Sequence, residues 1–365
     1  MSKKRIGVLT SGGDCPGLNA VIRGVVLAAA NRNWEVIGFN EGYEGMLSPV
    51  RYRKLNRQHV SGIERQGGTI LGTTNHGRFV SKVRHGEKAT LPPDVIEEAK
   101  ETIEGLGIEA LVCIGGDGSL TTAQQLFEAG FNVVGVPKTI DNDISATATS
   151  FGFDSAVACV VDALDRLQTT TYSHKRVMVV EVMGRYAGWI ALHSGVAGAA
   201  DVILIPEIPF EIQKVADVVM KREAEGEFST MIVVAEGAHE KDGTYVAKQD
   251  NLAAASPGEI KLGGIGSQVA KHIAFITKKE ARYVVLGHLQ RGGAPTEQDR
   301  LLSTRFGVTA VQLIDAGKNG HMVTYHNDIV DSVPIIDAVS RLKTIQPNDQ
   351  IVKTAREVGI KFGDE

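Results

Sequence analysis

The fold class is decided near the start of the chain, where Arg5–Thr10 (RIGVLT) runs through Ser11–Gly17 (SGGDCPG) into Leu18–Asn31 (LNAVIRGVVLAAAN). The first stretch is a short apolar run typical of a buried strand, and the third has the periodicity of a helix. A glycine-rich turn joins them. Strand, tight turn and helix form the first half of a βαβ unit, which predicts a parallel sheet with helices on both faces.

The same alternation continues along the chain. Further strands are predicted at 34–40, 110–116, 132–137, 176–184, 201–206, 230–237 and 281–287, and further helices at 94–104, 119–129, 154–168 and 300–317. Because the pattern starts afresh after Gly152, the sequence predicts two Rossmann-like three-layer α/β domains with mainly parallel sheets and an active site in the cleft between them. One domain is predicted at 1–152 plus about 290–340, and the other at 153–289 plus 341–365. The segments Ser81–Pro93 and Ala238–Gly258 are weakly patterned and suggest surface lids.

Composition excludes some classes of partner. The chain has 365 residues, 43% of them hydrophobic, and a net charge of −4, which gives no electrostatic basis for binding nucleic acid or an anionic membrane. No apolar run is long enough to span a bilayer. The three cysteines form no CxxC pair and are interpreted as reduced thiols, so a cytoplasmic location is expected.

Two glycine-rich turns are candidate phosphate sites. One is the turn around Gly13, and the other is Gly115–Ser119 (GGDGS), which also follows a strand and precedes a helix. Backbone N–H groups at a helix N-terminus bind anions, and Asp117 beside phosphates suggests an intervening Mg²⁺. The alternative is a pair of tight turns, with Ser119 as a helix N-cap.

A third motif, Pro137–Asp143 (PKTIDND), also follows a strand. In an extended loop Asp141 and Asp143 would point the same way, one as a general base and the other as a metal or orienting group. A calcium-binding loop is excluded, because Ala146 and Gly152 stand where it needs Gly and Glu.

Cationic residues gather at strand ends in the second domain. They are Arg176, then Arg185 after Met183 and Gly184, and finally Arg282, His288 and Arg291 within RYVVLGHLQRGG. Arginine binds phosphate bidentately, so the group suits a phosphorylated acceptor, and Glu236 could hold a sugar hydroxyl. A solvated charged face is the alternative. Together the two domains predict phosphoryl transfer from a Mg²⁺-bound donor.

The motifs GVLTSGGDCPGLNAVIRG, GGDGS, PKTIDND, HKRVMVVEVMGRYAGW and LGHLQRGG occur in the order and spacing of the 6-phosphofructokinases. The resemblance covers roughly Lys4 to Lys343. It implies Mg²⁺-assisted transfer to O1 of fructose 6-phosphate, with the phosphoryl donor in the first domain and the sugar phosphate in the second. It also implies a homo-oligomer, with a dimer of dimers expected.

The resemblance also implies residue roles. Asp141 would be the base, with Asp117 and Asp143 serving the metal and the transferring group. Stabilisation of the moving phosphoryl is implied for Thr139, the amide of Gly13, and Arg185. The implied sugar phosphate site comprises Met183, Gly184, Arg185, Glu236, His288 and Arg291, with Arg176 and Arg282 from a neighbouring subunit. The implied donor site comprises Gly13, Tyr43 against the adenine, His76 or Arg78, Gly116, Asp117, Gly118, Ser119 and Lys138.

The donor is predicted from two positions. Pyrophosphate-using members of the family resemble GGDD, whereas Gly118 here leaves room for a nucleotide. A lysine at position 138, in contrast, resembles the pyrophosphate-using members, which have lysine there. The combination is similar to the ATP-using members of the mixed-substrate branch, so ATP is the expected co-substrate and pyrophosphate the alternative.

Other functions fit the sequence less well. NAD and lipid kinases share GGDG turns but lack MGR and GHLQRGG. A nicotinamide oxidoreductase would need GxGxxG, which is absent. A non-catalytic sugar phosphate sensor would not need Asp117, Asp141, Asp143 and Arg185 together.

Overall fold

The computed structural model describes residues 3–74, 76–79, 90–241, 243 and 263–365. Most of the predicted lids, Ser81–Pro93 and Ala238–Gly258, lies outside these residues. The chain forms two compact units. Unit 1 comprises Met1–Ile140, Ile144–Ser155 and Arg291–Leu342, and unit 2 comprises Asp141–Asp143, Ala156–Gln290 and Lys343–Glu365.

The strands and helices of the described residues follow the predicted alternation. The strands are β1 (Arg5–Thr10), β2 (Glu35–Phe39), β3 (Tyr52–Leu55), β4 (Ala110–Gly115), β5 (Val133–Thr139), β6 (Phe151–Gly152), β7 (Val177–Val182), β8 (Val202–Leu204), β9 (Thr230–Ala235), β10 (Ala281–Val285), β11 (His321–His326) and β12 (Ile329–Pro334). The helices are α1 (Leu18–Ala30), α2 (Pro93–Gly105), α3 (Asp117–Glu128), α4 (Phe153–His174), α5 (Trp189–Ala197), α6 (Ile212–Ala224), α7 (Ile265–Thr277), α8 (Glu297–Asp315), α9 (Ile335–Ala338) and α10 (Gln350–Glu357). Short 3-10 helices lie at Gly42–Met46, Ile63–Arg65 and Gly287–Arg291.

Unit 1 is built on a mainly parallel sheet of the order β12-β11-β5-β4-β1-β2-β3, with β6 paired to β5. Strands β1, β4 and β5 run parallel at its centre, while β3 and β12 are antiparallel at the edges. All six residues of β4 are buried, as expected of a strand covered by helices on both faces. Phe39, Leu120 and Met322 belong to the apolar core on one face.

Unit 2 has a smaller parallel sheet of the order β10-β7-β9-β8. Strands β7 and β9 are fully buried, and Phe210, Val234 and Ile273 belong to the core formed with the helices. The predicted α/β class with mainly parallel sheets is therefore confirmed.

Two local features differ from the prediction. The helix after Gly116 begins at Asp117 instead of Ser119, so that Gly116 is its N-cap. The segment Asp141–Asp143 groups with unit 2, whereas the sequence placed it in the first domain. The reason is local, because the backbone N–H of Lys343 donates to the Asp143 carbonyl at 2.8 Å.

A buried carboxylate joins the starts of α4 and α8 in unit 1. Asp299 is 1% exposed, and its Oδ2 accepts hydrogen bonds from the backbone N–H (2.8 Å) and the hydroxyl (2.7 Å) of Ser155. Thr296 completes the connection by donating to Asp154 at 2.5 Å. Burial raises the pKa of the Asp299 carboxyl from 3.8 to about 6, although the bonds from Ser155 lower it.

We expect Asp299→Asn to cost more stability at pH 5 than at pH 7, by about 1 kcal/mol. The folded protein holds the Asp299 proton up to about pH 6, whereas the unfolded chain releases it near pH 3.8. This carboxyl therefore stabilises the wild-type fold increasingly as the pH falls through 6, and asparagine does not titrate. Urea unfolding of both proteins at the two pH values measures the difference. An equal loss of unfolding free energy at pH 5 and pH 7 would contradict this expectation.

Candidate active site

Two glycine-rich turns and the start of the PKTIDND motif lie at one edge of the sheet of unit 1. Strands β5, β4 and β1 are neighbours, and the turn containing Gly13 follows β1 while Gly116 follows β4. The ends are in contact, since Ser11 N donates to Ile114 O at 2.9 Å. A Cβ on Gly116 would lie only 3.2 Å from the carbonyl oxygen of Lys138, the last residue but one of β5. Ligands bind at this edge in open parallel sheets.

The start of α3 has the features of an anion site. Its N-cap, Gly116, supplies no side-chain hydrogen bond, and Asp117 is the first residue of the helix. A Cβ on Gly118 would meet nothing within 4 Å among the described residues, so there is open space beside the first turn. Backbone N–H groups and the helix dipole favour phosphate at such a position.

Magnesium fits this edge as a phosphate-bound ion. Among the described residues no three His, Cys, Asp or Glu side chains gather into a metal-binding group. Mg²⁺ is commonly held by one or two carboxylates together with substrate phosphates. Asp117, at the start of an anion-binding helix, suits that arrangement and would be its protein ligand.

Tyr43 and Arg78, which were predicted to bind the donor, have protein partners in the structure. Tyr43 is 3% exposed, and its hydroxyl donates to the Ser119 carbonyl at 2.8 Å, so its side chain belongs to the core beneath α3. Arg78 forms ion pairs with Asp94 and Glu98, which raise its pKa. His76 is exposed, with its backbone N–H bonded to the Thr74 hydroxyl.

The turn around Gly13 is surrounded by side chains that donate to its carbonyls. Lys138, only 4% exposed, donates through Nζ to the Gly13 carbonyl. Arg291 donates to the Asp14 carbonyl at 3.1 Å, and a Cβ on Gly13 would lie 3.0 Å from its Nη1. Arg291 was predicted to bind sugar phosphate, and the structure places it in unit 1 beside the donor turn. Thr73, which the sequence did not single out, donates to the Gly12 carbonyl at 2.6 Å.

The acidic segment is not extended, so the condition under which Asp141 and Asp143 were expected to point the same way is not met. Asn142 has a φ of 51°, in the left-handed region that asparagine tolerates, so alternation does not set the directions of Asp141 and Asp143. The side chain of Asn142 accepts from Lys343 Nζ at 3.1 Å. Burial lowers the pKa of the Lys343 ammonium to about 8, although the charge of Asp143 raises it. Trp189 Nε1 in turn donates to the Lys343 carbonyl at 2.9 Å.

In unit 2 the carboxyl ends of the neighbouring strands β7, β9 and β10 bring together Met183–Arg185, Glu236 and His288. Gly237 N donates to Gly184 O at 3.1 Å, and a Cβ on Gly237 would clash with the Arg185 carbonyl at 2.1 Å. Glu236 lies between the end of β9 and Gly237, next to this close contact. Gln290, fully buried, accepts from Met183 N at 3.2 Å and donates to Gly287 O at 3.0 Å. Gln290 therefore fastens the turn that carries His288 to the end of β7.

The cations of this region differ in exposure. Arg176 and Arg282 approach the same carboxylate, Glu280, at 3.8 and 2.8 Å, with 16% and 63% of their side chains exposed. His288 is exposed, and the Arg185 guanidinium lies 5.1 Å from the Tyr186 ring centroid. Arg176 and Arg282 lie at the amino ends of β7 and β10, whereas Arg185 and His288 follow the carboxyl ends of these parallel strands. Only the carboxyl-end pair therefore presents positive charge beside Glu236, where an anionic ligand could bind.

The chain is similar in sequence to known proteins. The family model for phosphofructokinase matches residues 5–314. The chain belongs to the phosphofructokinase family. An ATP-dependent 6-phosphofructokinase of Chloroflexus aurantiacus is 51% identical over 365 residues, which cover 100% of this chain and 99% of that protein.

Two further relatives carry another donor in their names. A pyrophosphate–fructose 6-phosphate 1-phosphotransferase of Streptomyces coelicolor is 46% identical over 361 residues, covering 98% of this chain and 100% of that protein. The crystal structure of a pyrophosphate-dependent phosphofructokinase from Nitrosospira multiformis superposes with a TM-score of 0.80 at 22% identity, covering 98% and 91% of the two chains. That likeness shows the fold, not the donor. No helix in the described part of this phosphofructokinase has the length and apolarity needed to cross a membrane.

Proposed function

We propose that the chain is an ATP-dependent 6-phosphofructokinase, which transfers the γ-phosphoryl group of ATP to O1 of D-fructose 6-phosphate in glycolysis. The products are fructose 1,6-bisphosphate and ADP. The observation that carries the proposal is the meeting of the Gly13, Gly116–Ser119 and Lys138–Thr139 motifs at one sheet edge in a member of this family. The full-length 51% identity to an ATP-dependent 6-phosphofructokinase supports the choice of reaction.

In the proposed mechanism Asp141 removes the proton from the 1-hydroxyl as O1 attacks the γ-phosphorus, and the bond to the ADP oxygen breaks. The Gly13 amide, Thr139 and Arg185 stabilise the charge that develops on the transferring group. Asp143 orients that group. Bound Mg²⁺ supplies positive charge to the donor phosphates, and Asp117 would hold it.

The proposed acceptor site uses the residues that follow the carboxyl ends of β7, β9 and β10. Its members are Met183, Gly184, Arg185, Glu236 and His288, with Arg291 as a further predicted ligand. Arg176 and Arg282 would come from a neighbouring subunit. Guanidinium groups recognise the 6-phosphate bidentately, and the carboxylate of Glu236 accepts from a sugar hydroxyl.

The reaction is tested by incubating the protein with fructose 6-phosphate, ATP and Mg²⁺ and identifying the products by ³¹P NMR. We expect a second phosphomonoester on the sugar and stoichiometric ADP, with turnover lost on chelation by EDTA. Hydrolysis of ATP without a bisphosphate product would reject the assignment.

Pyrophosphate is the second candidate donor. Two observations favour it: the 46% identity to the Streptomyces coelicolor phosphotransferase, and the presence of Lys138. ATP is preferred because Gly118 leaves open space at the start of α3, where a nucleotide needs room.

We further propose a cytoplasmic homo-oligomer, arranged as a dimer of dimers, with sugar phosphate sites shared between subunits. Strand β10 lies at the end of its sheet, and it exposes Tyr283 (49%), Val285 (42%) and the nearby Leu289 (68%). A long apolar sheet edge is a liability in a monomer, and a second copy of the chain would cover it. Arg282, exposed on the same strand, is then placed to serve the neighbouring subunit. The free thiols of Cys15, Cys113 and Cys159 support the cytoplasmic location.

Tyr283→Lys is expected to split the oligomer, because it places a charge in the centre of the apolar edge. The KM for fructose 6-phosphate should rise about tenfold or more as the neighbour's arginines are lost, since one charged hydrogen bond accounts for about that factor. Sedimentation velocity and sugar kinetics measure both effects. Met220→Lys, at a similarly exposed apolar position on α6 (39%), is the control. A Tyr283→Lys protein of unchanged mass would argue against this interface.

A further inference from the structure

We propose that Lys138 is a positioning residue, which fixes the direction of the Gly13–Asp14 peptide group and so of the N–H groups that face the donor. It acts through the backbone and is not a ligand of the donor phosphates. The inference rests on the proposed function. It explains what a lysine that is typical of pyrophosphate-using members does in an enzyme that uses ATP.

The first argument is the location of the ammonium group. Lys138 is 4% exposed, and among its contacts is the hydrogen bond from Nζ to the Gly13 carbonyl. A buried ammonium is costly unless acceptors surround it. The ammonium therefore interacts with the protein backbone, whereas a lysine that binds the donor phosphates would have to direct its ammonium towards them.

The second argument is that three successive carbonyls of the turn are held by side chains. Thr73 Oγ1 donates to Gly12 O at 2.6 Å, Lys138 Nζ to Gly13 O, and Arg291 Nη1 to Asp14 O at 3.1 Å. In a trans peptide the N–H points opposite to the C=O. The N–H groups of residues 13, 14 and 15 consequently point away from these donors, and the peptide planes are fixed before any ligand arrives.

The third argument explains why a cation stands at the middle carbonyl. Gly13 lacks a Cβ, so the Gly13–Asp14 peptide meets little steric resistance to rotation. Rotation by half a turn would bring the Asp14 N–H against the Lys138 ammonium and turn the Gly13 carbonyl away from it. The charge thus favours one orientation of a peptide that glycine alone would leave variable.

The consequence is a specific kinetic signature. An N–H group held in place before the reaction stabilises charge as it develops in the transition state, so its loss lowers kcat. A lysine that bound the donor in the ground state would instead change the KM for ATP.

The test is steady-state kinetics of Lys138→Met with ATP and fructose 6-phosphate, with Lys100→Met, at an exposed lysine of α2, as the matched control. We expect the Lys138→Met kcat to fall about 10- to 100-fold, the range of a charge-assisted hydrogen bond, with the KM for ATP changed by less than about threefold. Lys138→Gln, whose amide can still donate without a charge, should retain more kcat than the methionine variant, and it also decides the test if Lys138→Met fails to fold.

The proposal is overturned if either Lys138 variant keeps the wild-type kcat, or raises the KM for ATP about tenfold while kcat is unchanged. Failure of the proposed function is distinguishable, because the wild-type protein itself would then give no fructose 1,6-bisphosphate.

Discussion

Asp141→Asn is expected to lower kcat by about 10²- to 10⁴-fold while leaving the affinity for fructose 6-phosphate within about threefold. Asparagine cannot accept the proton of the 1-hydroxyl, but it has nearly the same size and still accepts a hydrogen bond. The segment should keep its conformation, since Lys343 holds it through the Asn142 side chain and the Asp143 carbonyl rather than through the Asp141 side chain alone.

Two measurements separate catalysis from binding. Rapid-quench turnover gives the chemical step, and calorimetric titration with fructose 6-phosphate gives affinity. Asp165→Asn, at an exposed position on α4, controls for the general effect of removing one negative charge. Turnover within tenfold of wild type would remove Asp141 from the role of base.

Gly118→Asp is expected to reduce kcat/KM for ATP about 100-fold and to leave the value for pyrophosphate within about tenfold. A carboxylate about 5 Å from an α-phosphate, at an effective dielectric constant of about 20, is repelled by about 3 kcal/mol. Pyrophosphate has no α-phosphate ester or ribose, so it avoids this repulsion. The open space around Gly118 lets the new side chain enter without steric strain on the described chain.

Gly118→Ala is the matched control for this substitution. It adds the Cβ without the charge, and alanine suits the first turn of α3. We expect its kcat/KM for ATP to stay within about threefold of wild type. Equal losses in the alanine and aspartate variants would mean that shape, and not charge, decides the donor at this position.

The elements of the fold could be predicted because their signals are local. Arg5–Thr10 is a strand in both the prediction and the structure, and the helix predicted at 154–168 is part of α4, which continues to His174. Apolar runs with glycine at their ends identify buried parallel strands without any knowledge of their partners. The order of the strands in the sheet was not predicted, because an apolar run does not identify the strands that pair with it, and β5 has β11 as a neighbour.

The supports of the candidate site could not be predicted, because they depend on long-range contacts. Lys343 is some two hundred residues from the Asn142 that it holds, and no local pattern marks it. Nothing in the sequence distinguishes Thr73 from other loop threonines, and only the structure shows that its hydroxyl donates to the Gly12 carbonyl. Gln290 lies within the LGHLQRGG motif, so its position was visible in the sequence but its role was not.

The acidic segment shows where pattern reasoning fails. Alternation predicts side-chain direction only for extended backbone, and the left-handed Asn142 breaks it. Lys138 shows the same limit for charge, since the sequence identifies a lysine beside a phosphate motif but not that its ammonium reaches the Gly13 carbonyl.

The central claim is that the space at Gly118 makes ATP the donor, with Lys138 serving the backbone. Initial rates on fructose 6-phosphate with Mg²⁺, measured with ATP and with pyrophosphate under identical conditions, test it most directly. The account predicts a kcat/KM at least tenfold higher with ATP. A preference for pyrophosphate would contradict it, and would mean that Lys138 outweighs the open space at the start of α3.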